Sequence, residues 1–290
     1  MASLRQIRRR LRSVRNTQQI TRAMQMVAAS KLKRAENCLF SFRPYAQGME
    51  RMLNNLSLSS SGFEHPLLQK QEPGKVGLVV VTADKGLCGS YNSNIIRQAE
   101  NFLNGLTPPR KGSLILLGRK GYDYFKRRQW EILLHVPELS GKFDRDRVKG
   151  LTEDIVRFFT SGKVSEVHLL YTKFISAMVY KPTLEKFLEL EKKTPGIESG
   201  NKEPRELRYI YEPDFNLVWN AILPEYLVNK LYLVLTESAT SEYSARMIAM
   251  KAATDNAEDM MEQLTLLRNK VRQATITREL SEIVAGAQAF

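Results

Sequence analysis

Glycine and proline are absent from Tyr226–Ala285, a stretch of 60 residues in a chain of 290 that holds 16 glycines and 11 prolines. Because these two residues punctuate ordinary globular chains, their absence predicts one uninterrupted helix. Pro224 suits a first helical position and Gly286 suits the residue after the last turn, so we predict a helix over 224–285. At about 1.5 Å per residue it would be roughly 90 Å long, too long for a compact body of this size, and it is expected to project.

Cysteine, histidine and long apolar runs are also scarce. The two cysteines, Cys38 and Cys88, have no motif spacing, which argues against a disulfide framework and favours a reducing compartment. The three histidines form no metal-ligand or triad spacing, so no metal site is expected at them. No cofactor is expected either. No apolar run approaches the roughly 18 residues of a membrane span, and we therefore expect a soluble or peripheral protein.

The N-terminal segment also lacks helix breakers, since Pro44 is its first proline and Gly48 its first glycine. Ser3 and Gln6 form a capping-box pattern that predicts a helix start. Pro44 is expected to kink or end this helix.

Two apolar stripes run along the predicted N-terminal helix. The first has the alternating spacing of three and four residues that is typical of paired helices, and it becomes polar in its middle part. Its positions are Leu4, Ile7, Leu11 and Val14, then Gln18, Thr21 and Gln25, then Ala28, Leu32, Ala35, Leu39 and Phe42. Ile20, Met24 and Val27 form a second stripe that is displaced around the helix.

The C-terminal helix has an apolar stripe of its own. It consists of Leu264, Leu267, Val271, Ala274, Ile276, Leu280 and Ile283. We interpret the two ends of the chain as a long antiparallel coiled coil with an irregular seam.

The middle of the chain has the opposite composition, because 62–213 holds 14 of the 16 glycines and nine of the 11 prolines. Short apolar runs there predict strands, and helical patterns lie between them, which indicates a central α/β, Rossmann-like sheet domain. The predicted strands are 76–82, 114–118, 132–136 and 164–172, the predicted helices are 92–103 and 147–159, and 177–190 fits either a strand or a helix.

These patterns give an α/β fold class with three parts. The first is an N-terminal coiled-coil helix at 1–57, and the second is the globular α/β domain at 62–213. The third, at 214–290, is a short helix over 214–222 followed by the long C-terminal coiled-coil helix.

Positive charge is concentrated at the start of the chain. The formal net charge is +13, and the first 34 residues hold ten lysines or arginines and no acid, so that the remainder carries 34 basic against 31 acidic residues, or +3. Cations in the first turns oppose the helix dipole, which suggests that they serve an acidic partner. On charge alone, a basic helix face that is simply exposed to solvent explains these residues equally well. A mitochondrial presequence is not favoured, because no cleavage-like break follows.

A glycine-containing loop at Thr82–Asn92 is the best candidate for chemistry. Gly86 and Gly89 give only G-x-x-G, whereas a P-loop needs G-x-x-x-x-G-K-[ST] and a dinucleotide site needs G-x-G-x-x-G. We therefore do not expect nucleotide binding. A tight turn between a strand and a helix, with Asp84 near the helix start, explains these residues.

Four strings of sequence carry a resemblance to a known family. They are Asn16–Lys31, Asp84–Gly89, Ser241–Asn256 and Arg272–Ala287. In this order and from end to end, the chain resembles the gamma subunit of F-type ATP synthase in its bacterial form.

The resemblance implies a non-catalytic rotor that couples proton flow to ATP synthesis or hydrolysis. The implied partners are the alpha and beta subunits, which form an alpha3-beta3 ring, together with the epsilon subunit and the membrane c-ring. It implies no nucleic acid, and a peripheral location at the cytoplasmic face of the inner membrane through the Fo sector alone. The segment Lys192–Pro204 has no cysteine, so the thiol regulation of the chloroplast form is not expected.

The resemblance also implies contact residues. Met24 corresponds to a segment that faces the beta subunits. Polar contacts with beta or between the helices are implied for Arg246, Arg272, Gln273, Thr277 and Glu279, and acidic loops on beta are implied as partners of Arg8, Arg9 and Arg10. The alternatives are seam packing for Met24 and a plain exposed helix face for Thr277 and Glu279.

Two other functions remain as alternatives. The basic first helix also fits a nucleic-acid-binding coiled-coil protein. The second alternative is an α/β phosphate-binding enzyme built around Lys85–Gly89.

Overall fold

The computed structural model describes residues 3–59, 67, 74–106, 111–139, 144–188 and 214–287. It contains five helices and five strands in these residues. In chain order they are α1 (Leu4–Ser59), β1 (Val76–Val81), α2 (Tyr91–Asn104), β2 (Gly112–Leu117), α3 (Arg119–Phe125), β3 (Glu131–Val136), α4 (Arg145–Thr160), β4 (Glu166–Ser176), β5 (Val179–Leu188) and α5 (Phe215–Ala287). The mixed α/β class, with long N- and C-terminal helices and a central sheet, is confirmed.

The chain divides into two compact units. One, the helical unit, consists of residues 1–30 and 246–290, and the other, the sheet unit, consists of residues 31–245. The three-part division at 1–57, 62–213 and 214–290 stays a prediction.

The sheet has the strand order β3-β2-β1-β4-β5. Its first four strands are parallel, and β5 pairs with β4 in the antiparallel direction. All six residues of β1 and of β2 are buried, as expected for central strands that are covered on both faces. The four predicted strands are confirmed to within a few residues, and the undecided segment 177–190 contains the edge strand β5.

The two faces of the sheet pack against different helices, because side chains alternate along a strand. Val79, Val81, Ile115 and Leu117 face a core that includes α4 and the parts of α1 and α5 that belong to the sheet unit. Leu78, Val80, Leu114 and Leu116 face a second core with α2 and α3.

Each long helix contains a proline in its interior, so Pro44 does not end α1 and Pro224 does not begin α5, which corrects these two helix bounds. Helix α1 passes through Pro44 to Ser59, and α5 begins at Phe215, so the predicted short helix is its first part rather than a separate element. A proline inside a helix removes one backbone hydrogen bond and costs about 3 kcal/mol. Burial of Trp219 and Leu223 in the core offsets this cost, since each large apolar side chain contributes about 1.5–3 kcal/mol.

In the sheet unit α1 and α5 run antiparallel. The Lys31 ammonium lies 5.6 Å from the Tyr243 ring, and the Phe42 and Tyr232 rings lie 4.8 Å apart. Farther along α1, Met49 accepts a hydrogen bond from the Asn229 amide at 3.2 Å. The residue numbers rise along one helix as they fall along the other, which fixes the direction of pairing.

Candidate partner-binding surface

The helical unit has a buried seam with heptad spacing. In α1 the buried or half-buried positions follow the predicted pattern through its polar part, and Thr21 is buried there. The facing positions of α5 also alternate in steps of three and four, and they are Met250, Thr254, Ala257, Met261, Leu264, Arg268, Val271 and Thr275. This spacing keeps one face of each helix toward its partner.

A pair of hydroxyl groups joins the two helices across the seam. Thr21 Oγ1 and Thr254 Oγ1 are 2.8 Å apart, and both residues are buried. Each hydroxyl also reaches a carbonyl on its own helix, that of Gln18 at 3.0 Å and that of Met250 at 2.8 Å. One hydroxyl therefore donates to the other, which donates to a carbonyl, so that both donors are satisfied.

The displaced stripe of α1 lies on the surface of the helical unit. Ile20 is 60% exposed and Val27 is 56% exposed, whereas Met24 is half-buried at the edge of the seam. A contiguous apolar strip on a soluble surface marks a place where another molecule binds. Ile20 and Val27 therefore lie outside the seam, and Met24 lies at its edge.

The predicted stripe at the end of α5 is wrong in part. Leu264 and Val271 are half-buried, but Leu267 and Ala274 are exposed, and every described residue from Ile276 onward is exposed. The seam instead passes through Arg268 and Thr275. A heptad register, rather than the position of the apolar residues alone, decides which residues face α1.

The end of α5 has no partner in α1. The seam of the helical unit fits an antiparallel pair joined at Thr21 and Thr254, because its positions on α1 extend toward Leu4 while those on α5 extend toward Thr275. In the antiparallel pair, Leu4 lies level with the region of Val271. The exposed apolar residues beyond it are Ile276, Leu280, Ile283 and Val284.

The nine candidate contact residues all belong to the helical unit. Met24 and Arg246 are half-buried, and the other seven are exposed, namely Arg8, Arg9, Arg10, Arg272, Gln273, Thr277 and Glu279. Within the described residues, no ion pair is formed by Arg8, Arg9, Arg10, Arg272 or Glu279. The roles of all nine stay predictions, and the seven exposed side chains are not covered by the described residues.

The glycine-containing loop is held by hydrogen bonds from its own chain. Asp84 Oδ1 accepts from the backbone N–H groups of Arg119 and Glu138, each at 3.0 Å, so it joins the loop after β1 to the start of α3 and to the loop after β3. Asn92 Oδ1 accepts from the Ala83 N–H at 2.9 Å. These contacts account for Asp84 and Asn92 without a phosphate.

Helix α5 occupies the edge of the sheet where ligands bind in doubly wound folds. That place is the gap between β1 and β4, where the strand order changes direction. Ser241 Oγ donates to the Thr172 carbonyl at 3.1 Å, and the buried Tyr91 hydroxyl donates to the Ser238 carbonyl at 3.1 Å. Burial raises the pKa of Tyr91, so this phenol remains a donor. The packing argues against the phosphate-binding enzyme.

Neither a membrane-spanning helix nor a metal-binding cluster occurs among the described residues. No helix among them combines the length and apolarity that crossing a membrane requires. No group of three histidine, cysteine, aspartate or glutamate side chains in the same residues is placed to hold a metal ion.

Comparison with known proteins identifies relatives along the whole chain. A family model described as ATP synthase matches residues 3–290. The ATP synthase gamma chain of Pelotomaculum thermopropionicum is 42% identical over 290 residues, and that of Protochlamydia amoebophila is also 42% identical over 290 residues. Each alignment covers 100% of this chain and 100% of the relative.

Solved structures share the fold. The chain is similar to one in the cryo-EM structure of the Euglena gracilis mitochondrial ATP synthase, OSCP/F1/c-ring, in rotational state 3, with a TM-score of 0.69 and 20% identity over 99% of this chain and 94% of that one. A chain of the Tetrahymena thermophila mitochondrial ATP synthase, central stalk/c-ring, gives a TM-score of 0.59 and 24% identity over 81% of this chain and 99% of that one.

Proposed function

Because the chain belongs to the ATP synthase gamma-chain family, we propose that it is the central-stalk rotor subunit of an F-type ATP synthase. It is not catalytic, since the catalytic sites of the enzyme are on the beta subunits. Its work is to rotate within the alpha3-beta3 ring, and thereby to couple proton flow across the membrane to ATP synthesis or hydrolysis. The nucleic-acid-binding alternative gains no support from the comparisons.

The observation that carries the proposal is the uneven surface of the helical unit. Arginines surround the first turns of α1, an apolar stripe follows at Ile20–Val27, and α5 ends in exposed apolar turns. Such a surface cannot contact three equivalent subunits in the same way. Each beta subunit therefore receives a different contact free energy and is shifted toward a different conformation.

We assign the partners from the family. The helix pair binds the alpha and beta subunits, and the sheet unit binds the epsilon subunit and the c-ring. The chain is then a peripheral subunit at the cytoplasmic face of a bacterial inner membrane, associated with it only through the Fo sector. The heptad spacing of both helices supports a coiled coil in this assembly.

Roles for individual residues follow from their positions. Met24, beside the exposed stripe, is proposed to contact beta, and Arg8, Arg9 and Arg10 are proposed to pair with acidic loops of beta. Arg246, Arg272, Gln273, Thr277 and Glu279 are proposed to make polar contacts with beta or, for the half-buried Arg246, between the helices. Buried charge pairs at an interface are worth several kcal/mol, which is enough to bias a conformation.

The proposed function is tested by purification at native expression levels through a tag on this chain. We expect alpha and beta subunits in stoichiometric amounts together with ATPase activity. Recovery of the chain without them would overturn the proposal. A gel-shift titration at several salt concentrations addresses the alternative, since tight and strongly salt-dependent DNA binding would support it.

Replacement of Arg272 and Gln273 by alanine in one variant is expected to lower coupled ATP synthesis by about threefold to tenfold, the equivalent of roughly 0.7–1.4 kcal/mol. Both side chains are exposed in this chain, so its own stability should change by less than about 0.5 kcal/mol. Synthesis in membrane vesicles and urea unfolding of the purified chain measure the two effects. The matched control removes Gln263 and Lys270, two exposed residues of the same helix. Equal losses of synthesis and stability would indicate a purely structural role.

A further inference from the structure

Arg43 connects three elements of the sheet unit. Its guanidinium Nη2 lies 2.8 Å from Glu237 Oε1 on α5 and donates to the Phe174 carbonyl on β4 at 3.0 Å. Arg43 itself belongs to α1. A single side chain therefore joins both long helices to the sheet.

This contact lies at a point where α1 is short of one backbone hydrogen bond. Pro44 follows Arg43 and has no N–H to offer the carbonyl of Phe40, four residues earlier. The Arg43 guanidinium also lies 5.7 Å from the Phe40 ring. The contacts of the Arg43 side chain thus stabilise α1 in the turn that lacks a backbone hydrogen bond.

The ion pair between Arg43 and Glu237 is not expected to contribute much to the folding free energy. The Glu237 side chain is only 3% exposed, and its second oxygen, Oε2, has no hydrogen-bond partner among the described residues. Burial raises the pKa of Glu237 although Arg43 opposes the shift. A buried ion pair with an unmatched oxygen can often be replaced by apolar residues without loss of stability. The ion pair instead fixes the position of α1 relative to α5, because a hydrogen bond weakens steeply when its donor angle departs from linear.

The adjoining part of α5 is also attached by directional contacts. Residues 236–244 are all buried, although most of them are polar. Ser241 donates to the Thr172 carbonyl, and Ser244 donates to the Ala177 carbonyl. Apolar contacts are non-directional, so an apolar face alone would resist sliding and rotation of α5 less than these bonds do.

We propose that Arg43 is a positioning residue that locks α1, α5 and β4 in one rotational setting, so that torque applied to the sheet reaches both helices without slip. The inference rests on the proposed rotor function. Arg43 touches no reacting group, and its effect is on the coupling between proton movement and ATP turnover.

The test uses the assembled enzyme in membrane vesicles and measures the ratio of ATP-driven proton pumping to ATP hydrolysis. The main variant carries Arg43→Leu with Glu237→Leu, which leaves no buried charge unpaired. We expect the ratio to fall at least threefold while hydrolysis stays within twofold of the wild-type value. Arg43→Lys, which keeps the charge but not the planar fork, should lower the ratio by a smaller factor.

The matched control removes another ion pair that reaches α5. Arg145 on α4 pairs with Glu225, and both side chains are about half exposed. Arg145→Leu with Glu225→Leu should leave the ratio unchanged. A wild-type ratio in the Arg43 and Glu237 double variant would overturn the proposal. If that variant does not assemble, a wild-type ratio in Arg43→Lys would overturn it. Failure of the wild-type complex to pump at all would instead contradict the rotor function.

Discussion

Gly118→Ala is expected to cost about 3–5 kcal/mol of folding free energy, a large part of the stability of an ordinary domain. Gly118 joins β2 to α3 with φ of 102° and ψ of 151°, a region that side chains rarely adopt. An added Cβ would lie 2.1 Å from the backbone oxygen of Thr82. The clash is with the backbone of the loop after β1, so no side-chain rotation relieves it.

Gly150→Ala is the matched control for this substitution. Gly150 lies inside α4, and a Cβ added there would meet nothing within 4 Å. Alanine should therefore stabilise the chain by about 0.5–1 kcal/mol, because it restricts the unfolded state and suits a helix. Urea unfolding followed by far-ultraviolet circular dichroism measures both changes. Effects of the same sign at the two glycines would contradict the backbone argument.

Leu231→Ala is expected to destabilise the sheet unit by about 2–5 kcal/mol. The Leu231 side chain is fully buried in the core that α5 shares with the sheet. Truncation removes its transfer free energy and leaves a cavity that the neighbouring side chains fill only in part. In the assembled enzyme this variant should also lower the yield of complex at elevated temperature.

Leu217→Ala tests the same chemical change on the same helix without burial. Leu217 is 57% exposed, so we expect a change of less than about 0.5 kcal/mol. Thermal and urea unfolding of the two variants, compared with the wild type, separate the effect of the core from that of helix propensity. A comparable loss in both variants would mean that this part of α5 does not depend on its core contacts.

The strands were predictable because each is a short apolar run bounded by turn residues. Helix α3 was not predicted, since its seven residues include a glycine and show no apolar repeat. It forms through tertiary contacts, among them the bond from the Gly121 N–H to Thr82 Oγ1 at 2.9 Å. The order of the strands depends on long-range pairing, which local patterns do not contain.

The long helices were predictable from missing glycine and proline, but their limits were not. From local propensity, the sequence predicts a kink or an end at Pro44 and a start at Pro224. Burial around both prolines decides otherwise. The heptad positions of α1 were predictable as well, whereas those of α5 pass through Arg268 and Thr275, which an apolar pattern overlooks.

The exposed end of α5 affects the fate of the chain before it is assembled with its partners. Every described residue from Ile276 onward is exposed, and an isolated helix of so few residues is marginal in water. Until a partner covers them, their apolar side chains are open to proteases and to aggregation. Newly made chains should therefore be short-lived unless the proposed ring subunits are present, which would adjust the amount of this chain to theirs.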